Sequence, residues 1–504
     1  MNNVYINLII LFILCTISLT AMNLEEFHNS LKGTSEDINL SITKFNDFPI
    51  PDSTKVFRKE NNVISDSLKA PYVVYIPENY DSKKPTPLIV YLHGGVSTKD
   101  FYDEVIKYAE ENYFTEFAEK NNYLIVFPMG NAETAWWNLT GITNINTIIK
   151  TIKTGYNVDD NRVYVSGFSD GGSGSFHLAL NSPDNFAAFY PLNGMISVGS
   201  AVTNLPVFIS NLQNNYVYAI NTDKDGLYPA KKMRQLMDLC LTADANVFYK
   251  EYWGIGHSFD YADVELPIIF ENMKDHPRDI FASTIYWETS ELSYGKCDWI
   301  EITGIDTLRE KQEWQEQYNV ELSDERISFG FYNDREFEGI GTKVTKTVDE
   351  STAAAMGLLQ YDIITKMDGQ KADNIDELLE IRNTKKRGDE FELTILRESK
   401  EMLLKGKFPD ITFYNAFNYT KPSGAVKANF YGNIFDIQTS RISEITLYIH
   451  PEMVNTEILV TVILNGKKVF DEKVITDNNF ILSNFNKNRD RKALWINKLV
   501  FEIE

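Results

Sequence analysis

Short apolar runs, each ending in a turn-forming cluster, recur through the first half of the chain. Pro87-Leu-Ile-Val-Tyr-Leu92 and Tyr123-Leu-Ile-Val-Phe127 are uninterrupted, the pattern of strands buried on both faces. Val163 and Val165 alternate with Tyr164 in a third run, and Asn246-Val-Phe-Tyr-Lys-Glu-Tyr252 alternates in a fourth. Phe176, Leu178 and Leu180 lie on a stretch that predicts a helix, closed by Asn181-Ser182-Pro183. The pattern changes after about residue 285. A mixed stretch rich in Glu, Trp and Lys, with Cys297-Asp-Trp299 and Lys311-Gln-Glu-Trp314, predicts a connector over 286–325. Beyond it come a hairpin signal at Asp368-Gly369, a helix over Asn374–Arg382 and a strand over Phe391–Arg397. The last hundred residues read as strands. Glu444-Ile-Thr-Leu-Tyr-Ile449 alternates, and Ile458–Phe470 is a strand, an Asn465-Gly466 turn and a return strand. A small β-sandwich-like accessory module over 408–504 is expected.

The third run delivers Ser169 into Gly167-Phe-Ser-Asp-Gly171. Glycines two residues either side of a serine suit a sharp strand-to-helix turn that lifts its hydroxyl above a sheet, so Ser169 is the candidate nucleophile. A serine nucleophile needs a base to take its proton and a carboxylate to orient that base. His257, in Trp253-Gly-Ile-Gly-His-Ser-Phe259, follows a strand in a glycine-rich loop and is the candidate base among six histidines. Asp225, in Ala219-Ile-Asn-Thr-Asp-Lys-Asp-Gly-Leu-Tyr-Pro229, is the candidate acid, with Asp223 as its competitor. An oxyanion needs N–H donors. One is assigned to Gly95, at the end of the strand running into His93-Gly-Gly95, and the other to the N–H of Asp170; His93 itself is expected to brace its loop. In Ala135-Trp-Trp-Asn138 the adjacent indoles of Trp136 and Trp137 point to opposite sides. One lining the substrate cleft, or both packing under the loop, are the alternatives.

Residues 70 to 280 resemble the α/β-hydrolases grouped with secreted polyhydroxybutyrate depolymerases, feruloyl esterases and esterase-D-like enzymes. The resemblance rests on Tyr72-Val-Val-Tyr-Ile-Pro-Glu-Asn-Tyr80, on Val158–Gly172 around the serine, and on Asn185-Phe-Ala-Ala-Phe189 leading to Asn193-Gly194. It implies a mostly parallel sheet flanked by helices, no cofactor, and a Ser169-His257-Asp225 triad cleaving carboxylic esters of an acylated polysaccharide or a polyester. Asn221 stands where the family carries glycine near the start of the acid loop, which leaves Asp223 in contention. Residues 326 to 405 resemble PDZ domains of the bacterial protease type, through Ala353–Gly369 and the elements after it. That resemblance implies a groove that adds an extended peptide to a sheet edge, with Phe329-Gly330-Phe331 as the turn for its terminal carboxylate. Two other readings stay open. One is a prolyl-oligopeptidase-like peptidase, against which the short amino-terminal region argues; the other is a PDZ-centred peptide-binding protein with an inactive hydrolase domain.

At 504 residues the chain has room for about three domains. Residues 1–21 carry a long apolar core followed by small residues, which reads as a secretory signal peptide and a secreted or periplasmic protein. A connector over 22–68 precedes a catalytic domain over 69–285, and the PDZ domain runs over 326–407. No later stretch is apolar enough to span a bilayer. The formal charge of −22 argues against nucleic acid as a partner, because phosphates would be repelled. No Cys/His cluster has zinc-ligand spacing, so no metal is expected. A bridge between Cys240 and Cys297 has no support in the pattern.

Overall fold

The computed structural model describes Ile42 and residues 48–504. The expected signal peptide at 1–21 and most of the segment after it lie outside the described residues. Eight strands form the first sheet: β1 (Val56–Val63), β2 (Lys69–Ile76), β3 (Thr86–Leu92), β4 (Leu124–Pro128), β5 (Val158–Phe168), β6 (Ala188–Leu192), β7 (Tyr216–Thr222) and β8 (Val247–Tyr252). Their order is β1-β2-β4-β3-β5-β6-β7-β8. β1, β2 and β4 pair antiparallel and every later pair is parallel. β4 and β6 are buried throughout, as parallel strands covered on both faces must be.

Among the described residues six helices connect these strands, α1 (Val105–Glu110), α2 (Tyr113–Asn121), α3 (Leu139–Gly155), α4 (Asp170–Asn181), α5 (Val198–Thr203) and α6 (Ala230–Thr242), and α7 (Ala262–Asp275) follows β8. Asn112 and Asn138 start α2 and α3 by accepting backbone N–H groups of their first turns. Phe114, Tyr164, Tyr190, Leu266 and Phe270 pack in one core on this side of the sheet.

The stretch read as a connector supplies strands of a sandwich. Thr284–Thr289 pairs with Gly424–Tyr431, and Ile300–Ile305 with Ile442–Ile449. Their partners lie more than a hundred residues downstream, so local patterning over 286–325 carries no trace of the pairing. Trp287, Trp299, Phe435, Ile445 and Trp495 fill the space between the two sheets. The hydrolase and this sandwich form one compact unit, and 320–416 form another, inserted between its strands. A buried charge cluster ties the end of the chain to the hydrolase. Lys153 Nζ lies 3.0 Å from Asp160 and 3.2 Å from Asp490, Arg278 reaches Asp490 at 2.8 Å, and Arg491 reaches Asp160 at 2.9 Å. Cys240 and Cys297 are buried free thiols.

The inserted unit is built around Phe329, Val344, Ile364, Leu378, Phe391 and Phe408. Its central sheet runs from an edge strand, Phe331–Asn333, through Thr342–Thr347, Ile363–Met367 and Glu390–Arg397 to Lys400–Lys407. Asp368 and Gly369 both have positive φ, 48° and 77°, as a two-residue type I′ hairpin requires. Glu321–Asp324 and Thr412–Asn415 pair antiparallel where the chain enters and leaves.

Candidate active site

Ser169 sits between β5 and α4 at φ 61° and ψ −120°, a conformation that costs a non-glycine residue roughly 1–3 kcal/mol. Close backbone approach enforces the turn. A Cβ on Gly171 would lie 1.9 Å from the Leu92 carbonyl oxygen, and one on Gly167 would lie 2.6 Å from the same atom. Ser169 also donates its N–H to Leu192 at 3.0 Å, anchoring the turn to β6.

Two loops at the carboxyl ends of β7 and β8 meet this serine. His257 Nε2 lies 2.9 Å from Ser169 Oγ, and His257 Nδ1 lies 2.7 Å from Asp225 Oδ2. The neutral ring therefore donates from Nδ1 to the carboxylate and accepts the serine proton at Nε2. Asp225 is 3% exposed and accepts three further bonds: Asn193 Nδ2 at 2.9 Å, Leu227 N–H at 2.8 Å and Tyr228 N–H at 2.9 Å. Burial opposes its charge. The bonds from His257, Asn193, Tyr228 and Leu227 outweigh burial and hold the carboxyl below its ordinary range. Asp223 lies elsewhere, accepting the Gly254 N–H at 2.6 Å and so holding the histidine loop to the acid loop.

On the other side of the serine, a Cβ on Gly94 would lie 3.0 Å from Ser169 Cβ, so that backbone runs against the hydroxyl. Gly95 takes φ 71°, and the next N–H, of Val96, is committed to Asp170 Oδ2 at 3.1 Å. The Asp170 N–H opens α4 directly after the serine. His93 braces the loop: it accepts the Gly130 N–H on Nε2 at 2.9 Å and donates from Nδ1 to Gly94 O at 2.7 Å. Burial pushes its pKa down, with those two bonds opposing.

Trp136 is fully buried beneath this loop and donates Nε1–H to His93 O at 2.8 Å, while Trp137 is 6% exposed. Neither indole presents a free face to a cleft. The pair stands in a turn before α3, with Trp136 packed against Gly130 and Gly174 and the Trp137 Cβ against Gly199. In the inserted unit Phe329 is a core residue whose carbonyl accepts from Ala353 at 2.7 Å. Gly330 has φ 78°, donates to Ser328 Oγ at 3.2 Å, and precedes the edge strand that begins at Phe331.

Sequence reasoning missed three participants. Asn193 has φ 44° and joins Asp225 to Thr222 Oγ1 (2.7 Å) and Tyr261 OH (2.6 Å). Asp170 accepts the Tyr228 hydroxyl at 2.8 Å as well as Val96, so its side chain links acid loop and oxyanion loop. A cavity of about 390 Å³ opens beside Gly94 and Phe168, walled by the rings of Tyr102, Tyr108, Tyr113 and Phe259 together with Glu104, Lys107 and Glu111. The left-handed Asn193 before Gly194 was the one visible signal, since asparagine tolerates positive φ. Among the described residues no group of His, Cys, Asp and Glu could hold a metal, and no helix is long and apolar enough to cross a membrane.

A largely parallel sheet with a serine at the turn into a helix, met by acid and base loops, defines an α/β-hydrolase. Residues 67–258 match the esterase family and 316–407 the PDZ family, so the chain carries an esterase-family domain followed by a PDZ domain. A bifunctional acetylxylan esterase/xylanase from Neocallimastix patriciarum is 30% identical over 138 residues, 27% of this chain and 19% of that protein. Feruloyl esterase D of Neurospora crassa is 28% identical over 177 residues, 33% of this chain and 57% of that protein. The chain thus spans less than two thirds of either relative. A solved ferulic acid esterase aligns with 44% of this chain and 99% of its own at 16% identity, with a TM-score of 0.37.

Proposed function

We propose that this protein is a serine hydrolase that cleaves carboxylic esters through an acyl-enzyme, with Ser169 as nucleophile, His257 as base and Asp225 as orienting acid. The observation that carries the reading is the unbroken hydrogen-bond series from Ser169 Oγ through His257 to Asp225. Nε2 takes the serine proton as Oγ attacks the ester carbonyl. The N–H groups of Gly95 and Asp170 receive the oxyanion, and the alcohol leaves with the proton from His257. Water then repeats the sequence and frees the acid. The cavity beside Gly94 and Phe168, with further rings in a wall that also carries charged side chains, suits a planar aryl acyl group such as a hydroxycinnamoyl ester on a polysaccharide. Secretion through a leader at 1–21 belongs to the same proposal. So does a PDZ groove that takes an extended peptide along the Phe331–Asn333 edge, for which Phe329-Gly330-Phe331 is the carboxylate turn.

The test is fluorophosphonate labelling of purified protein and of Ser169→Ala, with turnover of nitrophenyl acetate and methyl ferulate. Ser169-dependent labelling with ester turnover is the expected result. Labelling accompanied by amide cleavage without ester cleavage would replace the esterase with a peptidase, and absence of labelling would end the reading.

A further inference from the structure

Trp253 is 71% exposed, yet it stands four positions before His257 on the loop after β8. A chain segment of that length reaches at most about 14 Å, so the backbone of Trp253 lies within that distance of His257. Its mounting is fixed. Gly254 N–H donates to Asp223 Oδ1 at 2.6 Å, Lys224 N–H to Ile255 O at 3.0 Å, and Asp223 N–H to Tyr252 O at 3.0 Å. From α6, Arg234 sets its guanidinium 6.0 Å from the indole centroid, within cation–π reach. That arginine is itself held by Glu251 through two bonds, at 3.0 and 2.5 Å. Leu227, 66% exposed, projects from the acid loop that these bonds tie to the Trp253 loop. An exposed large aromatic is one of the residue types that recognition sites place on their surfaces, and this one is braced from one side.

We propose that Trp253 is a stacking platform for the saccharide chain that carries the ester. The inference rests on the ester-hydrolase reading. The chemistry of the partner follows from the surroundings. The apolar C–H face of a pyranose ring lies flat on an indole without needing charge, and the Arg234 charge is already matched by Glu251. A polyanionic chain would be repelled by a protein of formal charge −22, so the saccharide is neutral in its backbone. The platform also supplies what neither buried tryptophan of the Ala135–Asn138 turn can, an aromatic face open to solvent.

The experiment compares wild type, Trp253→Ala and Trp253→Phe on feruloylated xylan and on methyl ferulate. It also measures binding of the same xylan to Ser169→Ala and to Ser169→Ala/Trp253→Ala. The expected result is that the ratio of kcat/KM on the polymer to that on the small ester falls about fivefold to tenfold in Trp253→Ala, the lower end of the range for loss of one aromatic stacking partner. Trp253→Phe recovers most of it, and the double variant binds xylan correspondingly more weakly. An unchanged ratio in an enzyme that hydrolyses both esters would overturn the platform and leave the esterase standing. If wild type hydrolyses neither ester, the esterase reading falls, and xylan binding decides the platform alone: binding that does not depend on Trp253 overturns it. A change in oligomeric mass on Trp253→Ala with no change in the ratio would make the indole a contact between copies and would likewise overturn the proposal.

Discussion

Asn193→Ala tests whether the acid of the series is held in place by its own neighbours. Asn193 is fully buried and its amide nitrogen donates to both Asp225 and Thr222, while its oxygen accepts from Tyr261. Alanine removes a bond to a charged group, strands the 2%-exposed Tyr261 with an unpaired hydroxyl, and must adopt a φ of 44° that asparagine tolerates better. A lost bond to a charged group is worth about 1.5–3 kcal/mol, the unpaired hydroxyl about 1–3, and the left-handed backbone about 1, so a loss on the order of 4 kcal/mol is expected in a urea melt. Catalysis responds differently. Asp225 keeps the bonds from Leu227 and Tyr228, so its position relaxes rather than collapses. Loss of the correct tautomer and orientation altogether costs about 10⁴ in kcat, and a partial loss is expected to cost 10- to 100-fold. KM is expected to move little. The assay is steady-state turnover of nitrophenyl acetate below the melting temperature of the variant, with circular dichroism to verify folding. Asn193→Gly separates the two effects: it relieves the left-handed backbone but restores neither side-chain bond, so about 1 kcal/mol of stability should return relative to alanine while kcat should not recover. A folded Asn193→Ala with kcat within twofold of wild type would refute the positioning argument.

Asp170→Ala frees Val96 and Tyr228 from each other; kcat/KM on nitrophenyl acetate is expected to fall about tenfold, one hydrogen-bonded strut's worth of oxyanion-loop order, with a smaller change in the urea midpoint. Asp490→Ala leaves Lys153 and Arg278 buried with one anion fewer, and breaking such a cluster costs about 3–5 kcal/mol, read in the same melt. His177 is buried, its Nε2 has no hydrogen-bond partner, and burial pushes its pKa down to about 4 from an ordinary 6.5. The unfolded chain therefore takes up the proton first as pH falls. Its share of the stability is intact above about pH 6.5 and declines between there and pH 4, at up to about 1.4 kcal/mol per pH unit. His177→Asn should flatten that slope by about one proton, measured as urea-derived stability against pH.

The serine turn was legible because its steric demands are local: glycine at 167 and 171, apolar alternation before and a helix after. The hairpins at Asp368-Gly369 and Asn465-Gly466 were legible for the same reason, since positive φ at both turn positions restricts residue choice. The sandwich was legible only over its later strands, from 444 on. Its first strands, within 284–305, pair with partners beyond residue 424 across an inserted unit, and pairing at that separation leaves no periodic trace. The roles of Asp223 and Asp225 resisted reading for a subtler reason. Both are aspartates in one turn-rich loop, and both are used. Asp225 meets the imidazole, whereas Asp223 grips the backbone of the loop that carries it. A carboxylate that orients a base and one that orients the base's loop need the same residue type and nearly the same place in the chain. What separates them is where the next strand delivers His257, with β7 and β8 side by side in parallel, Asn221 opposite Glu251 and Thr222 opposite Tyr252. The choice between the two aspartates is thus a property of strand pairing, which a reading of either loop by itself does not contain.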